Sequence, residues 1–184
     1  HMEDANGAAA EIATYAPATT IYKAYNTIYP FTNGRAVELN RVASQALSKG
    51  VAYWAYSGHA TPRFFGSQQI WSVTKSNEES YDVKPFVMLA TCRALLFDHR
   101  EENIGEAMLY NENGGAIALV GAVREVYKEH NQKLNVQMAR KFYTLPAGST
   151  YGEIFMAGRN ATVPTGSYNP NNSRYYDTIY KRQL

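Results

Sequence analysis

Two short apolar runs constrain this chain more than any other feature. VAYWAYSGHA leads out through Gly58 to His59, and PFVMLATCRA carries Cys92, the single cysteine of the chain. Each run has the length and the aromatic and aliphatic content of a strand buried on both faces, followed by turn residues. A third run of the same kind, AIALVGA, follows at 116–122. Amphipathic stretches lie between them, so strands alternate with helices. That order predicts one α/β domain, with a mainly parallel sheet and helices on both faces. In an open α/β sheet, residues just past the carboxyl ends of the strands face the ligand crevice. Adjacent parallel strands would then bring an imidazole and a thiol to one edge, as a cysteine nucleophile with a histidine base requires. The ordinary readings are a buried cysteine acting as a small hydrophobe and a loop histidine after a glycine. The matched position of the two residues favours the chemical reading.

The rest of the chain predicts further elements. ANGAAAEIATY has helical preference, and TTIYKAYN reads as a strand. AVELNRVASQALSKG is a helix with Val37, Val42, Ala46 and Leu47 near one face and Gly50 at its end. Residues 61–84 form a long polar stretch that reads as a functional loop. ENIGEAMLYNENG is a helix with Ile104, Met108 and Leu109 inward and Gly114 closing it. NQKLNVQMARKFYTL is amphipathic through Leu134, Met138 and Phe142. STYGEIFMAGRNA starts with a Ser/Thr cap and an early Glu. The remainder, from Val163, reads as a polar turn and then an alternating strand.

Composition excludes several classes. The 184 residues suit one domain, and 45% hydrophobic residues supply a core. A net charge of +2 with scattered Lys and Arg leaves no nucleic-acid footprint. No apolar run is long enough to span a membrane. One cysteine precludes an internal disulfide. No dinucleotide or phosphate-loop glycine pattern is present. His59, Cys92 and His99 match no common zinc spacing, so no metal is expected. Asp98 and Glu101 beside His99 read as a solvated loop. The opening His-Met is legible both as native sequence and as a cloning scar.

YSGHA, then ATCRALLFD, then NIGEAMLYNENGGAIALVGAVREVY together resemble the gingipain-type cysteine peptidases of clan CD, family C25. The texture is that of the C25-like domain of type IX secretion C-terminal signal peptidases. HMEDANGAAAEIA is similar to the segment leading into the first helix of such domains, and TYGEIFMAGRNATV resembles their late Gly-Glu helix. The resemblance implies a caspase-like three-layer fold over 1–184. The end at YKRQL, ahead of an expected Gly-Asp-Pro segment, reads as truncation, as does the start. It also implies a cysteine endopeptidase without cofactor, acting on polypeptide, with Cys92 as nucleophile and His59 as acid/base. The backbone N–H groups of Ala60 and Cys92 would form the oxyanion hole, and Gly58 would shape the loop. Phe65, Trp71 and the strand end Val120-Gly121-Ala122 are candidates for pocket walls, equally legible as packing residues. The family usually has glycine after the histidine, where this chain has Ala60. Other domains of a longer secreted or outer-membrane protein are the implied partners, and the implied location is extracellular or outer-membrane-associated. The competing readings are a non-catalytic binding or scaffold domain of the same fold and an unrelated doubly wound domain.

Overall fold

The structure, a computed structural model, describes residues 1–162. Its centre is a parallel three-stranded sheet of β1 (Tyr53–Ser57), β4 (Phe86–Ala90) and β5 (Ala118–Gly121), in the order β1-β4-β5. All five β4 residues are buried, which is why FVMLA is apolar without alternation. Its side chains divide between two cores. Val87 and Leu89 face one, with Leu47, Val73, Ile104 and Met108. Phe86, Met88 and Ala90 face the other, with Ala8, Ile12, Leu134, Met138 and Ile154.

Helices cover both faces. α1 (Met2–Tyr15), α5 (Lys128–Thr144) and α6 (Tyr151–Thr162) carry the second core, and α2 (Val37–Leu47), α3 (Val73–Glu78) and α4 (Ile104–Tyr110) carry the first. The three-layer α/β arrangement is the one the alternating pattern predicts. Local chemistry sets several helix starts. Asn103 accepts from the Glu106 N–H while Glu106 accepts from the Asn103 N–H, a reciprocal capping box on α4. Thr150 and Glu153 do the same at α6. Ser72 caps α3 by accepting from the Lys75 N–H.

Three expectations need correction. TTIYKAYN forms no strand; residues 19–25 run as irregular chain beside α1, α2 and β1. The stretch 61–84 is not a bare loop. It folds into a hairpin of β2 (Phe64–Phe65) and β3 (Trp71–Ser72), and then α3. Its apolar anchors are too few and too closely spaced to show a period in a polar stretch. Val37 and Leu109 are exposed rather than inward. Each lies near a helix end, where the buried face is set by what packs there rather than by the 3.6-residue period. The strand expected after Val163 lies outside the described residues.

Candidate active site

β1 and β4 pair in parallel, with Ser57 opposite Ala90, and the Gly58 N–H donates to the Ala90 carbonyl at 3.4 Å. His59 and Cys92 each sit two residues beyond that last pair. They therefore leave the same edge of the sheet at the same level. Among the described residues no hydrogen bond joins the two side chains. His59 is exposed and Cys92 half-buried.

The backbone at His59 is held from two sides. Its carbonyl accepts from the Gly66 N–H at 2.7 Å and from the Tyr56 hydroxyl at 2.8 Å. The Tyr56 ring stacks on Phe65, centroids 4.2 Å apart. Burial pushes the Tyr56 phenol far above its ordinary range, which keeps it a neutral donor. A Cβ at Gly58 would collide with the Tyr56 ring and hydroxyl. Glycine is thus required where the chain passes close over that ring. Ala60 opposes Phe65 as an isolated antiparallel bridge. The bonds of that bridge are made by Thr61 N–H and Gly66 N–H, which leaves the Ala60 N–H uncommitted among the described residues. The added methyl of Ala60 packs against the first core.

Cys92 has a different environment. Its Sγ lies 3.5 Å from the Val126 nitrogen and 3.6 Å from the Val126 carbonyl oxygen. The Val126 N–H donates to the sulfur, and the thiol can donate to the carbonyl. Arg93, the next residue, has φ +52°, a left-handed conformation unusual for a side chain other than Asn or Asp. The turn sends the chain sharply away from Cys92, and the Cys92 N–H stays uncommitted among the described residues.

The segments after β4 and β5 are zipped together. Arg93 N–H donates to Arg124 C=O and Leu95 N–H to Ala122 C=O, both at 3.2 Å. Two ion pairs, Arg93–Glu125 and Arg124–Asp98, cross between them. The Arg124 guanidinium holds the Asp98 carboxyl below the usual carboxylate range. Asp98 therefore works in a bridge, not as an acid–base partner of His99. Glu101 pairs with Arg63, and its N–H donates to His99 Nδ1.

The expected pocket walls separate on inspection. Phe65 and Trp71 are 0% and 1% exposed and belong to the first core, so they support the His59 loop from below and line no substrate surface. Trp71 Nε1–H donates to Ser76 Oγ. Gly121 ends β5 against Leu89 and Leu95. Ala122 is buried and takes part through its carbonyl. Both shape the path of the chain toward Val126.

Sequence reasoning missed His1, Asp4, Tyr56 and Val126. Asp4, on the first turn of α1, is 2% exposed. Its Oδ2 meets His1 Nδ1 and Ser57 Oγ, each at 3.4 Å. The His1 ring stands edge-on to His59, centroids 4.8 Å apart. Nothing local signals this, because the partners are some fifty positions apart. A buried acid in an alanine-rich helix was the available hint. Among the described residues no group of three His, Cys, Asp or Glu side chains is placed to hold a metal ion. No helix among them is long and apolar enough to cross a membrane.

No curated protein matches the chain. Among solved structures, the complex of Porphyromonas gingivalis RgpB pro- and mature domains superposes with a TM-score of 0.75 at 17% identity. It covers 99% of this chain and 40% of that one. The crystal structure of the Arg-specific cysteine proteinase gingipain R (RgpB) gives 0.73 at 18% identity, over 96% of this chain and 40% of that one. A structure described only as a protease gives 0.58 at 13% identity, over 87% and 46%. The fold is therefore that of the gingipain peptidase domain, and the chain spans less than half the length of these proteins. Residues 1–181 match the model of peptidase family C25, and the chain belongs to that family of cysteine peptidases.

Proposed function

We propose that the chain is the catalytic part of a cysteine endopeptidase in which Cys92 is the nucleophile and His59 the acid/base. The observation that carries this reading is the register: with Ser57 opposite Ala90, His59 and Cys92 each follow two residues beyond the same edge of the sheet. The Cys92 thiolate attacks the scissile carbonyl carbon, and the C=O electrons move to oxygen. The oxyanion takes the uncommitted N–H groups of Ala60 and Cys92. As the tetrahedral species collapses, the C–N bond breaks and the amine leaves with a proton from the His59 imidazolium. A thioester remains. Water attacks it with His59 taking the proton, and the acid is released as the thiolate re-forms. An amine in place of water would give transpeptidation by the same steps.

The finer reading is processing of C-terminal signals in type IX secretion, at an extracellular or outer-membrane location. Its support is the texture of the Gly-His, Ala-Thr-Cys and GGAIALVGA segments. Gingipain R is described as Arg-specific, and Asp98 and Glu125 on the two segments beside Cys92 support a basic residue before the cut here too. Both carboxylates are held by this chain's own Arg124 and Arg93, so a substrate guanidinium would exchange partners with one of them. The second reading, a non-catalytic binding domain of the same fold, is favoured by Ala60 in place of glycine.

Iodoacetamide alkylation of Cys92 near neutral pH separates the two, together with turnover of peptides with and without Arg before the cut. The peptidase reading expects fast alkylation that abolishes turnover. A thiol that reacts no faster than an ordinary cysteine, in a folded full-length protein without turnover, would support the binding domain.

A further inference from the structure

The peptide unit between His59 and Ala60 is held by its carbonyl. That oxygen accepts from the Gly66 N–H at 2.7 Å and from the Tyr56 hydroxyl at 2.8 Å. The unit is trans. In a planar trans unit the C=O and the N–H point in opposite directions. Fixing the direction of the His59 carbonyl therefore fixes that of the Ala60 N–H, which has no partner among the described residues.

One of the two anchors is backbone, supplied just after β2. The other is a side chain that is itself fixed at both ends. The Tyr56 ring lies flat on Phe65, with centroids 4.2 Å apart and planes at 8°, and Phe65 is 0% exposed. At the far end the hydroxyl sits so close under Gly58 that a Cβ there would strike it. Burial raises the phenol far above its ordinary range, so the hydroxyl stays a neutral donor.

We infer that Tyr56 is a positioning residue for the oxyanion donor: through the His59 carbonyl, its hydroxyl aims the Ala60 N–H and holds it in place before substrate arrives. The inference rests on the role proposed above for that N–H. A donor fixed in advance costs no reorganisation as charge develops on the substrate oxygen. A carbonyl that accepts hydrogen bonds also leaves its own N–H a stronger donor, because bonds in a chain polarise one another. The hydroxyl acts through the peptide unit, so its loss belongs to the transition state and not to substrate binding.

Tyr56→Phe removes the hydroxyl and keeps the ring on Phe65. Three measurements on the full-length protein test it: steady-state kinetics with a cleaved peptide, inhibition by an aldehyde of the same peptide, and iodoacetamide alkylation of Cys92. The Cys92 thiolate adds to the aldehyde carbon, and the C=O electrons move to an oxygen in the oxyanion position, which takes up a proton. Alkylation only displaces iodide and forms no oxyanion. In Tyr56→Phe, kcat should fall about 10- to 100-fold, less than the roughly 100- to 1,000-fold of a donor removed outright. KM should stay nearly unchanged, as for an interaction made only in the transition state. Inhibition by the aldehyde should weaken by a similar factor, and the alkylation rate should hold. In an Ala60→Pro background the N–H is gone, and the same change should cost nothing further. An unchanged kcat, an alkylation rate that falls with kcat, or a full additional loss in the proline background would each overturn the inference. A wild-type protein without Cys92-dependent turnover would overturn the peptidase reading itself, and this inference with it.

Discussion

The His1 and His59 imidazoles meet edge to face, with centroids 4.8 Å apart and planes at 85°. Behind His1 stands the buried carboxylate of Asp4, which also takes the Ser57 hydroxyl. His59 is exposed on its other side, so this contact limits how its ring can turn. In the proposed mechanism His59 is the base, and a base held in place by a neighbouring group is the arrangement that mechanism asks for.

His59→Ala should remove most of the acid–base contribution, roughly 100- to 10,000-fold in turnover. Asp4→Asn should cost a smaller part of it, about tenfold in kcat, with KM nearly unchanged because Asp4 does not reach the substrate edge. Steady-state kinetics on the full-length chain checks both. Equal kcat for wild type and Asp4→Asn would separate Asp4 from the site.

Cys92→Ala should abolish peptide hydrolysis and leave the melting temperature within a few degrees. The side chain is half-buried, and its polar contacts are two weak ones to Val126. Turnover that persists in the alanine variant would refute the nucleophile assignment.

Gly58→Ala places a methyl group against the Tyr56 ring. The ring must shift, and the hydroxyl bond to the His59 carbonyl goes with it. Overpacking of this kind costs about 1–3 kcal/mol, so denaturant unfolding should show a lower midpoint together with reduced turnover.

Ala60→Pro removes an N–H that no described group uses. If that N–H binds the oxyanion, turnover should fall about 100- to 1,000-fold. Ala60→Gly keeps the donor and should hold or raise turnover. A folded proline variant cleaving at the original rate would exclude this N–H from the mechanism.

Glu11 of α1 accepts two hydrogen bonds from Arg140 of α5, at 2.7 and 3.0 Å, which holds its carboxyl below the ordinary glutamate range. A depressed folded value adds stability above the unfolded pKa, about 4.3. That stability disappears as pH falls through the folded value. Glu11→Gln should therefore lower stability by about 0.5–1 kcal/mol at pH 7, and by progressively less below pH 4. Chemical denaturation at both pH values measures the difference.

The sequence by itself determined the layers and marked out His59 and Cys92 as the two candidate side chains. Runs such as FVMLA are apolar without alternation because both faces of β4 are buried, and that requirement is written in consecutive residues. The Asn103/Glu106 and Thr150/Glu153 starts are equally local, each made by two residues three positions apart. Only the tertiary structure decided what surrounds His59 and Cys92. Asp4 and Ser57 are 53 positions apart, and Cys92 and Val126 are 34 apart, so their meeting depends on how α1 and the segment after β5 pack on the sheet. The same applies to Phe65 and Trp71, whose aromatic rings could have lined a pocket. The antiparallel pairing of β2 with β3 turned them into the core, because apolar rings gain most from leaving water and the β1 aromatics were there to receive them.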